Sequence, residues 1–462
     1  MIAPRDHLRH DLTSLYSFVD SICDSCFNRP AASAHLAPTQ RFFDYIVQLA
    51  TATKLYLSSY SVEDDDDYDA KRQELEIVRK AWRELHQFVK AAVDANTLNV
   101  PTSLIEGLTR RVRQIKKFSA TEFAFFHTYE FNYLQVEPSE VRSKIAEPLR
   151  SIIPTAGEFS PDLALIGIPY SQGSTLFLNS LVGHEIGHFV YRATTPTVLL
   201  LAEAEGALKH ELKDQYAQME SGRQLLLKAT VVKWAEELFC DLFAVALVGP
   251  CHTFCYVEAY DVLALLQSDG ELSPERLKQR LRFYSSYPCH IFRIQQQAIF
   301  LKELGWWDTF KSVKSHHVLF LSKVLAIPKN AYGDEEDSVD RKACIAALFE
   351  MLPEVKRLVG SALDGLDPGV YEFKQLESRV RDYLRNGVVP STLVFAESNK
   401  PVYPTPICVL NAGVMFYLSE LDSFIESVPD EDVTSHERRL HWVRRLEQWL
   451  SKAIQDESLL RR

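Results

Sequence analysis

Apolar positions recur at three- and four-residue intervals along most of the chain, the period of a helix with one buried stripe. The pattern runs through Leu12, Leu15, Phe18, Val19 and Ile22, then through Phe42, Phe43, Ile46, Val47 and Leu49. It returns from Tyr68 to Ala95 in Leu75, Val78, Ala81, Trp82, Leu85, Phe88 and Val89. Pro101 and Thr102 restart the chain into a helix over 102–118 that Thr102 can cap. Residues 119–155 are aromatic-rich without a clean period, and Pro148 and Pro154 mark a boundary near 155. The short apolar run 161–170, bounded by prolines, predicts a strand, and Ser171–Ser174 a turn. Leu176 to Tyr191 then predicts a buried helix that stops before Pro196. Residues 200–247 read as helical with a polar middle, and 271–300 as a turn and more helix. Beyond Trp306 the chain is again mostly helical, with a polar break at Lys329–Asp340 and a proline-containing loop at Pro401–Pro406. The expected fold is mainly α (α+β), a helical core with a small β-sheet. The expected segments are an N-terminal helical domain 1–155, a core 156–300 and a C-terminal helical domain 301–462.

Composition narrows the function. Of 462 residues, 46% are apolar and 24% charged, and the formal net charge is −11. Such a surface repels phosphate backbones, so no nucleic-acid partner is expected. The basic run Arg110–Arg113 with Lys116 and Lys117 fits the wet face of a helix. The acidic run Glu63–Asp67 lacks the glycine and spaced ligands of a calcium loop. The first thirty residues carry Arg5, Asp6, Arg9, Asp11, Asp20 and Asp24 and no continuous apolar core, so no export signal is read there. The longest weakly charged run, Leu242–Val257, contains Gly249, Pro250 and His252, and reads as a buried helix followed by a turn, too broken for a bilayer. A cytoplasmic protein with no membrane partner is expected. Its eight cysteines are then reduced, and the pairs Cys23/Cys26 and Cys251/Cys255 read as buried thiols.

The chemistry is carried by Leu181-Val-Gly-His184-Glu185-Ile-Gly-His188-Phe-Val190. Residues four apart share a helix face, so His184 and His188 can present nitrogens to one ion. Glu185 then stands beside the ion, placed to take a proton from its water. Two histidines and a glutamate on a helix with Leu178, Leu181, Val182, Ile186 and Phe189 need a partner, and a metal ion is the natural one. A catalytic zinc takes three protein ligands and leaves one position open. Downstream, Glu237 and Asp241 are also four apart among apolar neighbours. Glu237 can supply the third ligand, and Asp241 can hold the far nitrogen of a histidine. The competing reading is a surface Glu/Asp pair on an amphipathic helix.

His184, Glu185, His188, Glu237 and Asp241 fall one for one onto the pattern of the gluzincin zinc metallopeptidases, which the chain resembles over about residues 160–295. The spacing is most similar to that of CAAX-processing and HtpX-like peptidases. Those carry Ala where this chain has Cys240, and membrane helices that this chain lacks, so the resemblance is to the clan. It implies a zinc cofactor, a gluzincin-like zinc-helix core, and an Asp241 that pairs with His184 rather than His188. Ser286-Tyr287-Pro288-Cys-His290-Ile-Phe-Arg293-Ile resembles a segment that follows the zinc helices in the CAAX-processing group. It makes Tyr287 the first candidate donor to a developing oxyanion and His290 the second, against a plain proline-capped helix start. The strand 163–169 corresponds to a sheet edge that binds an extended peptide, which would place substrate along Ile166–Tyr170. His127, His210, His252, His316 and His317 have no ligand-like spacing and read as ordinary.

The expected activity is metallopeptidase hydrolysis of peptide bonds, with a protein or peptide as substrate and a regulatory protein as a possible further partner. Two alternatives stand beside it: a catalytically silent zinc-containing interaction protein, and a zinc hydrolase of a non-peptide amide. The helical flanks are expected to wall the cleft, with the Pro401–Asn411 loop as part of the wall.

Overall fold

The computed structural model describes residues 4–27, 37–60, 68–94, 102–128, 134–136, 145–155, 163–169, 175–195, 197–284, 287–333, 338–394, 401–428 and 435–460. The acidic run Glu63–Asp67 and the turn Ser171–Ser174 lie outside the described residues. The fold is mostly helical with a small sheet, and the chain divides into two compact units: 1–102 with 120–174, and 103–119 with 175–462. This division runs differently from the three expected segments. The strand near 165 joins the N-terminal unit, and everything from Thr175 onward is one unit.

In the first unit, α1 (Pro4–Phe27), α2 (Ala37–Ser58) and α3 (Tyr68–Asp94) pack on one another. Their apolar stripes supply Leu15, Val19, Phe43, Ile46, Val78, Trp82 and Leu85 to one core. The Trp82 indole, buried among them, donates to the Thr53 hydroxyl at 3.2 Å. Residues 119–155, where no period was legible, contain strands β1 (Glu122–Thr128) and β2 (Leu134–Val136) and a short helix Glu147–Ile152. β3 (Leu163–Pro169) lies between the two strands: β1 pairs with it in parallel along its length, and β2 pairs antiparallel at Leu165–Gly167. This corrects the expected substrate edge. At Ile166 and Gly167 both sides of the strand are already hydrogen-bonded to neighbours, so no added strand can bind there. Tyr170 is outside the described residues.

The second unit is helical. Its α4 (Thr102–Gln114, from Ser103 on) is followed by α5 (Val182–Thr194), α6 (Thr197–Leu212), α7 (Ser221–Val248), α8 (Pro250–Ala259) and α9 (His290–Glu303). Then come α10 (His316–Leu325), α11 (Val339–Ala362), α12 (Val370–Arg385), α13 (Pro406–Ser419) and α14 (Ser435–Leu460), with a two-stranded ribbon of β4 (Leu393–Val394) and β5 (Pro401–Val402). The run Leu242–Val257 is not one helix ending in a turn. Gly249 breaks it with φ 84° and ψ −160°, which a side chain would strain, and Pro250 starts α8 without needing an N–H. Asn411 of α13 brackets the break, accepting from Cys251 N–H at 2.8 Å and donating to Val248 C=O at 2.8 Å.

Residues 401–411, expected as a loop in the cleft wall, are therefore a strand end followed by a helix from Pro406. Asn411 serves the core. Arg111 also departs from the expected wet face: its guanidinium donates to the carbonyls of Leu247 and Asp367 at 3.0 and 2.8 Å. It thereby satisfies the C-terminal end of α7, where a helix carries negative partial charge. Among the described residues no single helix is long and apolar enough to cross a membrane. Pro406–Ser419 and Leu421–Ser427 reach that length only together, bent by 67°.

Candidate metal centre

The site is built on the seam between α5 and α7. Gly183 and Gly187, four apart, make a flat strip on α5, and the facing positions Cys240, Ala244 and Val248 on α7 share the same spacing. A Cβ at Gly187 would lie 2.8 Å from the Cys240 Cα, and one at Gly183 3.0 Å from the Val248 side chain. The helices approach this closely only because both positions lack side chains. Each histidine follows its glycine by one residue and so stands beside the seam, as Glu237 and Asp241 do from the other helix.

Both imidazoles are held from behind by carboxylates of α7. His184 Nδ1 lies 2.9 Å from Asp241 Oδ1, the pairing that the resemblance implies, and His188 Nδ1 lies 2.9 Å from Glu236 Oε1. With Nδ1 engaged, each ring turns Nε2 toward Glu237: His184 Nε2 is 3.5 Å from Oε2 and His188 Nε2 is 3.8 Å from Oε1. Ligands of a tetrahedral zinc with bonds of about 2.1 Å stand about 3.4 Å apart. Both observed separations are close to that edge, each through a different oxygen of Glu237, so His184, His188 and Glu237 form a candidate ligand set. The half-buried Glu185 follows His184 directly on the same turn of α5.

Charge is concentrated here. Arg293 of α9, 5% exposed, grips Asp241 through Nε to Oδ2 at 2.6 Å and Nη2 to Oδ1 at 2.8 Å, and its Nη1 lies 3.0 Å from Glu237 Oε2. Burial disfavours an ionised Glu237, but Arg293, His184 and His188 outweigh it and hold the carboxyl down at about 2. Burial opposes Asp241 in the same way, and Arg293 and His184 keep it far below the carboxylate range. Burial also works against a charged His184, yet hydrogen bonds to Asp241 and Glu237 raise it to about 10. The buried carboxylates thus favour positive charge between the imidazoles.

Cys240 is a rival third ligand, since ligand atoms of His184, His188 and Cys240 lie within 4.8 Å of one another. A metal takes a thiolate. Burial, followed by the charges of Glu237, Glu236 and Asp241, pushes this thiol well above its ordinary range, and its Cβ packs against the Gly187 face. Glu237, held ionised by Arg293 and the histidines, is the other candidate for that place. The other thiols are buried, with Cys251 and Cys255 sulfurs 3.8 Å apart. His210, read as ordinary from its spacing, meets Glu211 and Glu350 on the exposed surface in a second group whose ligand atoms lie within 4.8 Å of one another. A cavity of 660 Å³ bordered by Leu263, His316 and Tyr417 shares no residue with the site.

Tyr287 and His290 are placed differently. Tyr287 lies between Tyr284 (5.0 Å between ring centroids) and His290 (5.7 Å), its ring tilted against both. His290 opens α9 one turn before Arg293, and its Nδ1 lies 2.9 Å from the Tyr256 hydroxyl. Burial and then the charge of Arg293 push the His290 imidazole down to about 4, so it is neutral at pH 7. Sequence reasoning gave no role to Glu236, Arg293, Tyr256 or Tyr260. Arg293 lay in the matched segment, and Glu236 directly precedes Glu237. Nothing local marks the tyrosines. Compared with protein-family models, curated proteins and solved structures, the chain matches none.

Proposed function

We propose that this chain is a zinc-dependent peptidase of gluzincin type, with His184, His188 and Glu237 as the metal ligands. The observation that carries the reading is the convergence of two back-anchored imidazoles on one ionised carboxylate at 3.5 and 3.8 Å, beside Glu185. A purely structural metal needs no base at that position. Bound there, zinc supplies Lewis acidity that makes a water easier to deprotonate. Glu185 takes the proton from that water and delivers it to the leaving amine. Asp241 and Glu236 keep the imidazoles turned toward the ion, and Arg293 keeps Asp241 ionised and in place. His290, neutral and oriented, donates a hydrogen bond to the substrate's carbonyl oxygen as negative charge develops on it.

The test is elemental analysis with a peptide-library digest read by mass spectrometry. About one zinc per chain is expected. Glu185→Gln is expected to keep the zinc and cut turnover at least about 100-fold, because an amide cannot accept the proton. Undiminished turnover removes Glu185 from this role. Full zinc with no turnover by wild type on any peptide replaces the peptidase by an interaction protein that uses the metal as a staple.

A further inference from the structure

Tyr256 has no part in ligating a metal or moving a proton, yet it stands where the charged cluster meets His290. It is 3% exposed, and the Arg293 guanidinium lies 5.2 Å from its ring centroid. That guanidinium is itself fixed by Asp241 and Glu237. The Tyr256 hydroxyl reaches His290 Nδ1 at 2.9 Å. Tyr260, just past the end of α8, stacks on the same imidazole with centroids 3.8 Å apart and planes at 24°. Stacking fixes the plane of the ring and the hydroxyl fixes its rotation. The imidazole therefore has one orientation, referred through Arg293 to the carboxylate of Glu237.

The direction of the hydrogen bond follows from the partners. A phenol O–H is a good donor and a poor acceptor, whereas the bare nitrogen of a neutral imidazole is a strong acceptor. The N–H groups of Arg293 are directed at Asp241 and Glu237, so the phenol oxygen is not needed to satisfy them. With Nδ1 accepting from a buried hydroxyl, the ring proton resides on Nε2. That nitrogen is separated from Nδ1 by one ring carbon in a half-buried residue, and it is not the one engaged by Tyr256.

We propose that Tyr256 is a positioning residue: it donates to His290 Nδ1, locks the imidazole as the Nε2–H tautomer, and presents that N–H to the carbonyl oxygen of a bound peptide. The last clause rests on the peptidase reading; the tautomer lock does not.

The test uses full-length protein labelled with 15N-histidine, loaded with zinc. Two-bond 1H–15N correlations at pH 7 are recorded, and the His290 signals are assigned by their absence in His290→Gln. Wild type is expected to show an acceptor-type Nδ1 and a protonated Nε2. Tyr256→Phe keeps the ring beneath Arg293 and removes only the hydroxyl. It is expected to show exchange-averaged tautomers, unchanged zinc content, and kcat lowered about tenfold or more with KM within about twofold, the mark of a donor lost from the transition state. A wild-type His290 protonated on Nδ1 overturns the proposal. So does a Tyr256→Phe protein that keeps a pure Nε2–H tautomer and full kcat. If the variant does not fold, the wild-type spectrum decides. If wild type cleaves no peptide, the peptidase reading falls, while the spectrum still judges the lock.

Discussion

At the scale of single residues, the two carboxylates four apart on α7 do different work, although both are short acidic side chains on one helix face. Glu237 faces both Nε2 atoms; Asp241 and the neighbouring Glu236 stand behind the rings. Glu237→Ala is expected to abolish stoichiometric zinc, whereas Cys240→Ala leaves it intact. Elemental analysis of the two variants separates the carboxylate from the thiol as third ligand, and the reverse outcome assigns the site to Cys240. Asp241→Asn and Glu236→Gln keep a hydrogen-bonding group but lose charge. Each is expected to weaken zinc retention against a chelator by about 10–100-fold. Equal retention by all three proteins would show that neither group supports an imidazole.

Helices set how these residues meet. A Cβ at position 187 has no room against the Cys240 backbone, since both contact atoms belong to helices that cannot shift locally. Gly187→Ala is expected to force α5 and α7 apart, costing about 1–3 kcal/mol as an overpacked contact does. It should lower zinc affinity although no ligand is changed. Gly206 has nothing within 4 Å of such a Cβ, so Gly206→Ala is the control, expected to be neutral or slightly stabilising within its helix. Urea midpoints and chelator competition on the pair decide: equal behaviour would mean that the seam tolerates a methyl group. The glycines were visible in the motif, but a glycine in a buried helix announces only a close approach. Which backbone approaches is a property of the partner helix.

Across the molecule, a buried acid far along the chain makes the second unit sensitive to pH. Glu447 of α14 accepts from the Phe177 N–H at 3.3 Å. Burial raises its carboxyl from an ordinary 4.5 to about 7, against the pull of the backbone amides of Phe177 and Leu176. Between those values the folded chain keeps a proton that the unfolded chain has released. This group's contribution is therefore fully present below pH 4.5 and is lost as pH rises through about 7. Glu447→Gln removes that dependence. Relative to wild type the variant should gain about 1–3 kcal/mol between pH 4.5 and pH 8, in line with about 1.4 kcal/mol per pKa unit. Urea unfolding of both proteins at the two pH values measures it, and parallel curves would refute the assignment.

What the sequence by itself determined was local and periodic. Stripes of Leu15, Val19 and Ile22, or of Val78, Trp82 and Leu85, specify helices because one face must leave water. Spacings of four put His184 with His188 and Glu237 with Asp241 on shared faces because the helix repeats every 3.6 residues. Tertiary structure decided everything that depends on what lies opposite. It gave β3 a neighbour on each side, which the alternation of Ala164, Ile166 and Ile168 does not reveal, since a strand's own pattern reports burial and not pairing. It broke Leu242–Val257 at Gly249 and supplied Asn411, 160 residues beyond Cys251, to hold the break. It also brought Arg293, Tyr256 and His290 to the metal candidates from two further helices. Their contacts join positions remote in sequence, and no local period records them.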